Sequence, residues 1–269
     1  MNNLRKYGKP PYKVAVIHGG PGVSGEMAPV ARELSSICGI LEPLQTADSL
    51  DGQVAELHNV LMNNTNFPAV LIGHSWGAML GFIYTSRFPL NVKKLILVGC
   101  GSLEAEHAKE IMATRLSRLD QLEKLELLSI FNMLDDPATR DKNDKMNRLG
   151  VLIDKTDSFC PLPGDDDVIE FRGDIYQSVW NEAARLRREG KFLKMGSWIR
   201  CPVVAIHGDY DPHPFKGVVR PLEALIDNFR LILLEKCGHV PWLEKYGKDK
   251  FYEVLKKELE REFQHIDTE

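Results

Sequence analysis

Six short stretches of the chain are apolar at almost every position: residues 13–18 (KVAVIH), 39–44 (GILEPL), 69–74 (AVLIGH), 94–99 (KLILVG), 202–207 (PVVAIH) and 230–235 (RLILLE). A strand covered on both faces needs unbroken apolar character of this kind, so the six predict a buried, mostly parallel sheet. Helix-period segments separate most of them. Residues 24–37 are expected to form a helix capped by Ser24. Residues 49–63 carry Leu50, Val54, Leu57 and Leu61 at core spacing, and residues 76–88 end just before Pro89. Strand and helix in alternation predict a doubly wound α/β fold with about six strands.

The alternation stops between residues 101 and 200. That region offers no convincing strand and reads as helices over 104–134, 137–154 and 167–189, with the loop FCPLPGDDD between the last two. The expected organisation is a sheet core in two parts, 1–100 and 201–269, with a helical cap inserted at 101–200. An insertion leaving a strand's carboxyl end lies over the crevice where α/β sheets bind ligands.

Composition narrows the class. The 269 residues carry a formal net charge of -4, with 43% hydrophobic residues, so no basic field invites nucleic acid. The run RLRREGKFLK is expected to be a solvated helix face. Five cysteines lie far apart without a CxxC pair, which predicts reduced thiols and a cytoplasmic protein. The polar N-terminus MNNLRKYGKPPYK lacks an apolar signal core, and no apolar run is long enough to span a bilayer.

The chemistry starts at GHSWG, residues 73–77. Here an apolar strand turns sharply into a helix, and residues two positions either side of Ser75 must be small because strand and helix pass so closely. Gly73 and Gly77 meet that need, so Ser75 is expected to be the exposed nucleophile of a GxSxG elbow. A serine hydroxyl needs a base, itself held by a third group. His239, in the loop after the last strand, is the expected base. Beyond residues 202–207, Asp209 and Asp211 both qualify as the acid; Asp211 is favoured because it reaches further past the strand, while Asp209 suits a turn brace. The glycine loop HGGPG at 18–22 predicts the oxyanion donors as the N–H groups of Gly20 and Trp76. It lacks a P-loop lysine and GxGxxG spacing, so it does not read as a phosphate cradle; the histidines lack HExxH spacing and the cysteines a paired pattern, so no metal is expected.

With these residues together, the chain resembles the α/β-hydrolase superfamily over nearly its whole length. The motifs HGGPG, GHSWGA and GHVPWLE look most like the branch of prolyl iminopeptidases. The resemblance implies a Ser-Asp-His triad, no cofactor, and hydrolysis through an acyl-enzyme. It also brings two departures. The first two strands common in this fold have no counterpart in the sequence pattern, and no complete motif for holding a substrate amine is present. Trp180 and Glu182, in YQSVWNEAARL, resemble that branch's aromatic and acidic cap residues; Asp165 to Asp167 read as a solvated turn. The expected function is therefore cleavage of a small ester, amide or short peptide, with a proline-iminopeptidase-like exopeptidase as its sharpest form. A ligand-binding protein on the same fold without turnover is the alternative.

Overall fold

The structure, a computed structural model, describes residues 3–136, 142–164 and 167–263. Its strands run in chain order as β1 Leu4–Tyr7, β2 Tyr12–Ile17, β3 Val23–Ser24, β4 Gly39–Pro43, β5 Thr65–His74, β6 Val92–Val98, β7 Glu170–Phe171, β8 Val203–Gly208 and β9 Phe229–Leu234. Seven of them build one sheet in the order β1-β4-β2-β5-β6-β8-β9. All its pairings are parallel except β1 with β4. Each of the six apolar runs lies on one of these strands.

The seventh strand is an addition to the expected sheet. Leu4–Tyr7 pairs antiparallel with β4, Leu4 opposite Pro43 and Tyr7 opposite Ile40. An edge strand with one flank in water needs no continuous apolar run, so LRKY left no signal of the kind that marks the inner strands.

Helices α1 Ala28–Leu34, α2 Leu50–Asn64 and α3 Trp76–Arg87 link the first half of the sheet. Ser49 caps α2, its hydroxyl accepting from the Gly52 N–H, and Leu50, Val54, Leu57 and Leu61 are all buried. Ser24 does not cap α1. It lies in β3, and the helix starts four residues later, at Ala28, with Pro29 in its first turn, where a missing N–H costs nothing. Helix α3 is buried from Trp76 to Ser86, so it is the element that fixes the middle of the sheet.

Between β6 and β8 come α4 Ala105–Ser117, α5 Gln121–Asp135, α6 Lys142–Asp157, α7 Gly173–Arg188 and α8 Lys191–Gly196; α9 Lys216–Leu225 and α10 Lys248–Phe263 follow. Two features differ from the expected helices. Asp120 closes a capping box with Glu123 and starts α5 afresh, splitting the 104–134 helix in two. The stretch before α7 is not helical, because Phe171 pairs with Val23 and Glu170 with Ser24 in a two-stranded ribbon. Leu119, Leu127, Ile130, Leu149 and Leu152 form a small core of their own among α4–α6. Helix α7 instead buries Ile175, Val179 and Ala183 in the main core beside α3. The region thus has an outer part with its own packing and an inner part fused to the sheet domain. No described helix is long and apolar enough to cross a membrane.

Candidate active site

Ser75 occupies the one-residue turn between β5 and α3 with φ +51° and ψ -112°. A side chain in that left-handed region is strained, and the surroundings must hold it there. They do so by contact: a Cβ on Gly73 would run into the Gly77 carbonyl, and one on Gly77 into the Ile17 carbonyl. The Ser75 N–H is tied to the Val98 carbonyl at 2.9 Å.

The loop after β2 lies against this turn. A Cβ built on Gly19 would sit 3.3 Å from the Ser75 Cβ, so only glycine lets the loop approach. The Gly19 N–H donates to Glu26 Oε2 at 2.7 Å. Gly20, at φ +108°, has its N–H in no hydrogen bond among the described residues, and the same holds for the Trp76 N–H at the start of α3. Two unused donors therefore stand beside the serine at a helix N-terminus.

The residues expected as base and acid come from the other half of the chain. His239 Nδ1 is 2.7 Å from Asp211 Oδ2, and a Cβ on Gly99, just past β6, would meet the His239 ring at 3.1 Å. Ser75 and His239 thus both sit at the carboxyl end of β6. His239 Nε2 and the Ser75 hydroxyl are in no hydrogen bond among the described residues, whereas His239 Nδ1 and Asp211 are joined. Asp209 points elsewhere, its Oδ1 accepting from the Cys237 N–H at 3.2 Å, which braces the turn that leads to His239.

Asp211 holds more than one imidazole. His213 Nδ1 lies 2.7 Å from its Oδ1, the His213 N–H donates to the same oxygen at 2.9 Å, and His207 Nε2 is 3.4 Å from Oδ2. Burial alone would raise this carboxyl; the imidazoles of His239, His213 and His207 outweigh it and hold the group well below the usual carboxylate range. For His239, burial lowers the pKa, Asp211 works against it, and His213 and His74 push down again, with a net shift below the ordinary imidazole value. The imidazole is neutral at neutral pH and free to accept a proton at Nε2.

Asp211, His213 and His239 each bring one potential ligand atom within 4.8 Å of the others. Their N···O separations of 2.7 Å are hydrogen-bond distances. Two ligands on a tetrahedral zinc stand about 3.4 Å apart, given bonds near 2.1 Å, so the set as folded is arranged around protons.

A second buried pair lies beneath the site. His74 Nδ1 is 3.1 Å from Glu26 Oε2 and its Nε2 is 3.0 Å from the His239 carbonyl. Burial would discharge His74, but Glu26 prevails and raises its pKa; Glu26, against its own burial, is lowered by His74. A protonated His74 donates from both nitrogens, linking the Gly19 loop to the His239 loop. Glu244 fastens that loop from the other side, accepting from the N–H groups of Gly238, Phe159 and Cys160, while the His239 N–H donates to the Asp157 carbonyl.

Trp180 packs edge-on against the buried ring of Trp76, ring centroids 6.0 Å apart. The Glu182 carboxylate accepts from the Leu50 N–H at 3.3 Å, at the first turn of α2. Asp165 and Asp166 lie outside the described residues, as does His265; Asp167 forms a two-pronged pair with Arg32. All five cysteines are free, with Cys100, Cys201 and Cys237 buried.

Sequence reasoning did not single out Glu26, His213 or Glu244. The DPH spacing puts His213 two residues past Asp211, where its N–H and ring can both turn onto one carboxylate, and that was the available signal.

A family model described as alpha/beta hydrolase fold matches residues 42–246. The chain belongs to that family. No curated protein sequence matches it. Among solved structures it is similar to VinJ, at 19% identity over 96% of this chain and 94% of that one with a TM-score of 0.70. It also resembles the proline iminopeptidase of Mycobacterium smegmatis, at 17% identity, 96% and 94% coverage and TM-score 0.63. A third is the epoxide hydrolase CorEH, at 16% identity, 94% and 93% coverage and TM-score 0.65. Likeness at this level shows the shared fold and spreads over several chemistries, so the hydrolase family is established and the iminopeptidase branch is one resemblance among others.

Proposed function

We propose that the protein is a serine hydrolase that cleaves a small ester or amide through an acyl-enzyme. The observation that carries this reading is the meeting, at one end of the sheet, of a strained Ser75 and two unengaged N–H groups with the His239–Asp211 pair. In the proposed reaction, Nε2 of His239 takes the Ser75 proton as the hydroxyl oxygen attacks the carbonyl carbon. Asp211 accepts the Nδ1–H, which leaves Nε2 as the basic nitrogen and stabilises the imidazolium. The N–H groups of Gly20 and Trp76 receive the oxyanion. The imidazolium then protonates the leaving group; water attacks the acyl ester of Ser75 while giving a proton to His239 Nε2, and the imidazolium passes that proton to the Ser75 oxygen as the acid product leaves. Ser75 stands where haloalkane and epoxide chemistry would need an aspartate.

The exopeptidase form has less support. A carboxylate that holds an amine must be free to do so, and Glu182 is engaged at the start of α2. The test is a panel of prolyl and alanyl arylamides set beside short acyl esters. Cleavage of esters with failure on every free-amine arylamide removes the peptidase form; the reverse pattern restores it. A fluorophosphonate probe separates catalysis from passive binding, since an activated Ser75 is labelled quickly and an idle one is not.

A further inference from the structure

Two other buried cations of the fold are neutralised by carboxylates. Lys94 lies against Glu258 and Glu262. Arg115 grips Asp157 through two nitrogens, and although burial works the other way, that carboxylate raises the arginine's pKa. Arg187, near the end of α7, is treated differently. Its Nε donates to the Ser102 carbonyl at 2.7 Å, and Nη2 reaches only the Met79 sulfur at 3.8 Å. Nη1 makes no hydrogen bond, and no ion pair joins the guanidinium to a carboxylate, among the described residues. Burial lowers its pKa, with only the Cys100 thiol working against it, yet a guanidinium stays charged in a protein. A half-buried charge without a counter-ion is costly to fold around.

Its location relates that cost to the crevice. The guanidinium lies beside Trp180 and Phe192, its carbon 5.6 and 6.0 Å from their ring centroids. Trp180 in turn packs edge-on against Trp76, the residue after Ser75. Met79 is one helical turn beyond Ser75 on α3, about 5.4 Å along the axis, and long helical side chains lean back toward the helix N-terminus. Ser102 belongs to the loop leaving β6, the strand whose end holds both Ser75 and His239. The Nη edge of Arg187 therefore has no carboxylate partner among the described residues and stands beside the apolar side chains of Met79, Trp180 and Phe192, against the helix that begins at the Ser75 turn. A planar fork with two free N–H directions in a poorly solvated place matches the two oxygens of a carboxylate.

We infer that Arg187 anchors a carboxylate of the substrate, so that the esters or amides opened at Ser75 carry an anionic group in addition to the attacked carbonyl. The inference rests on the serine hydrolase reading for its substrate and on Arg187 alone for its charge preference. A cationic anchor here also disfavours the free amine that an aminopeptidase must bind.

Binding can be tested without turnover. In the Ser75→Ala protein, monomethyl adipate and dimethyl adipate are compared by isothermal calorimetry. The monoanion is expected to bind at least about tenfold more tightly, the size of one charge-assisted hydrogen bond; equal or weaker binding overturns the inference. Kinetically, the 4-nitrophenyl monoester of adipic acid is compared with the same ester capped by methyl. The ratio of kcat/KM values should exceed about 10 in the native chain, approach 1 in Arg187→Met, and lie between in Arg187→Lys. A ratio that Arg187→Met leaves unchanged overturns the inference. Fluorophosphonate labelling of Ser75 reports whether each variant is folded, and if Arg187→Met is not, Arg187→Lys and the native ratio decide. Preferred binding of the monoanion with no cleavage of either ester sinks the hydrolase reading and leaves the anchor; cleavage of both at equal rates does the opposite.

Discussion

The rings of His213 and His239 stack with centroids 4.3 Å apart and planes 26° from parallel, each placing Nδ1 on a different oxygen of the same Asp211 carboxylate. One acid thus orients two imidazoles, and charge on one opposes charge on the other.

The first prediction follows from that opposition. The acid limb of kcat/KM against pH reports the protonation of His239 in the free enzyme, and its midpoint should fall below the ordinary imidazole value of about 6.5. Removing His213 takes away one of the groups that disfavour the imidazolium, so His213→Leu should move the limb upward in pH. A limb at or above about 6.5 in the native chain, or one that moves down in the variant, contradicts the arrangement.

Asp211→Asn keeps the shape of the side chain and loses the charge that fixes the His239 tautomer. A fall in kcat of about 10⁴-fold is expected, as for triads of this logic. Asp209→Asn, which keeps an oxygen for the Cys237 N–H, should cost less than about tenfold. Steady-state kinetics on one ester compares the two, and a larger loss at Asp209 would exchange their roles.

The Glu26–His74 pair makes a statement about stability. His74 is raised on folding, so its contribution is complete below its unfolded pKa of about 6.5 and is lost as pH rises through the folded value. Glu26 is lowered, so its contribution is present above its unfolded pKa and is lost as pH falls through the folded one. Both are in force together in mildly acidic to neutral solution. Glu26→Gln should therefore destabilise the fold by about 2 kcal/mol near pH 6, the scale of stranding a buried partner. The loss should shrink once His74 is neutral in both proteins, at high pH. Urea titrations at the two pH values check this; an equal loss at both would mean that the pair is not ionic.

At the elbow, Gly77→Ala places a methyl group into the Ile17 carbonyl. The strand or the helix must move, at a cost of several kcal/mol on the scale of severe core overpacking. Loss of soluble protein or a Tm drop of more than about 5 °C is expected, and a fully stable variant would show that the turn has more room than its geometry indicates.

How far the sequence carried this account depended on which forces left a local pattern. Strands buried on both faces must be apolar throughout, and all six such runs are in the sheet. The elbow also announced itself, because steric closeness at residues 73 and 77 admits little but glycine. Elements held by pairing rather than by burial were silent: LRKY needs only an edge to pair with, and Glu170–Phe171 only the backbone of Val23–Ser24. The break at Asp120 did have a signal, an aspartate three residues before a glutamate, that continuous helical periodicity concealed. Buried charge was hardest to see. Glu26 and His74 are 48 residues apart, and Arg187 lies in a run of basic residues that looks like a solvated face; the packing that half-buries it beside Met79 and Trp180 involves elements distant in the chain.

The central claim is that Ser75 is made reactive by its surroundings. It is tested most directly by the rate at which a fluorophosphonate labels the native protein, Ser75→Ala and His239→Ala, with hydrolysis of p-nitrophenyl acetate followed in parallel. Rapid labelling of the native chain, none of Ser75→Ala, and losses of at least about 10³-fold in both variants are expected. Ester hydrolysis that persists undiminished in Ser75→Ala would contradict the account.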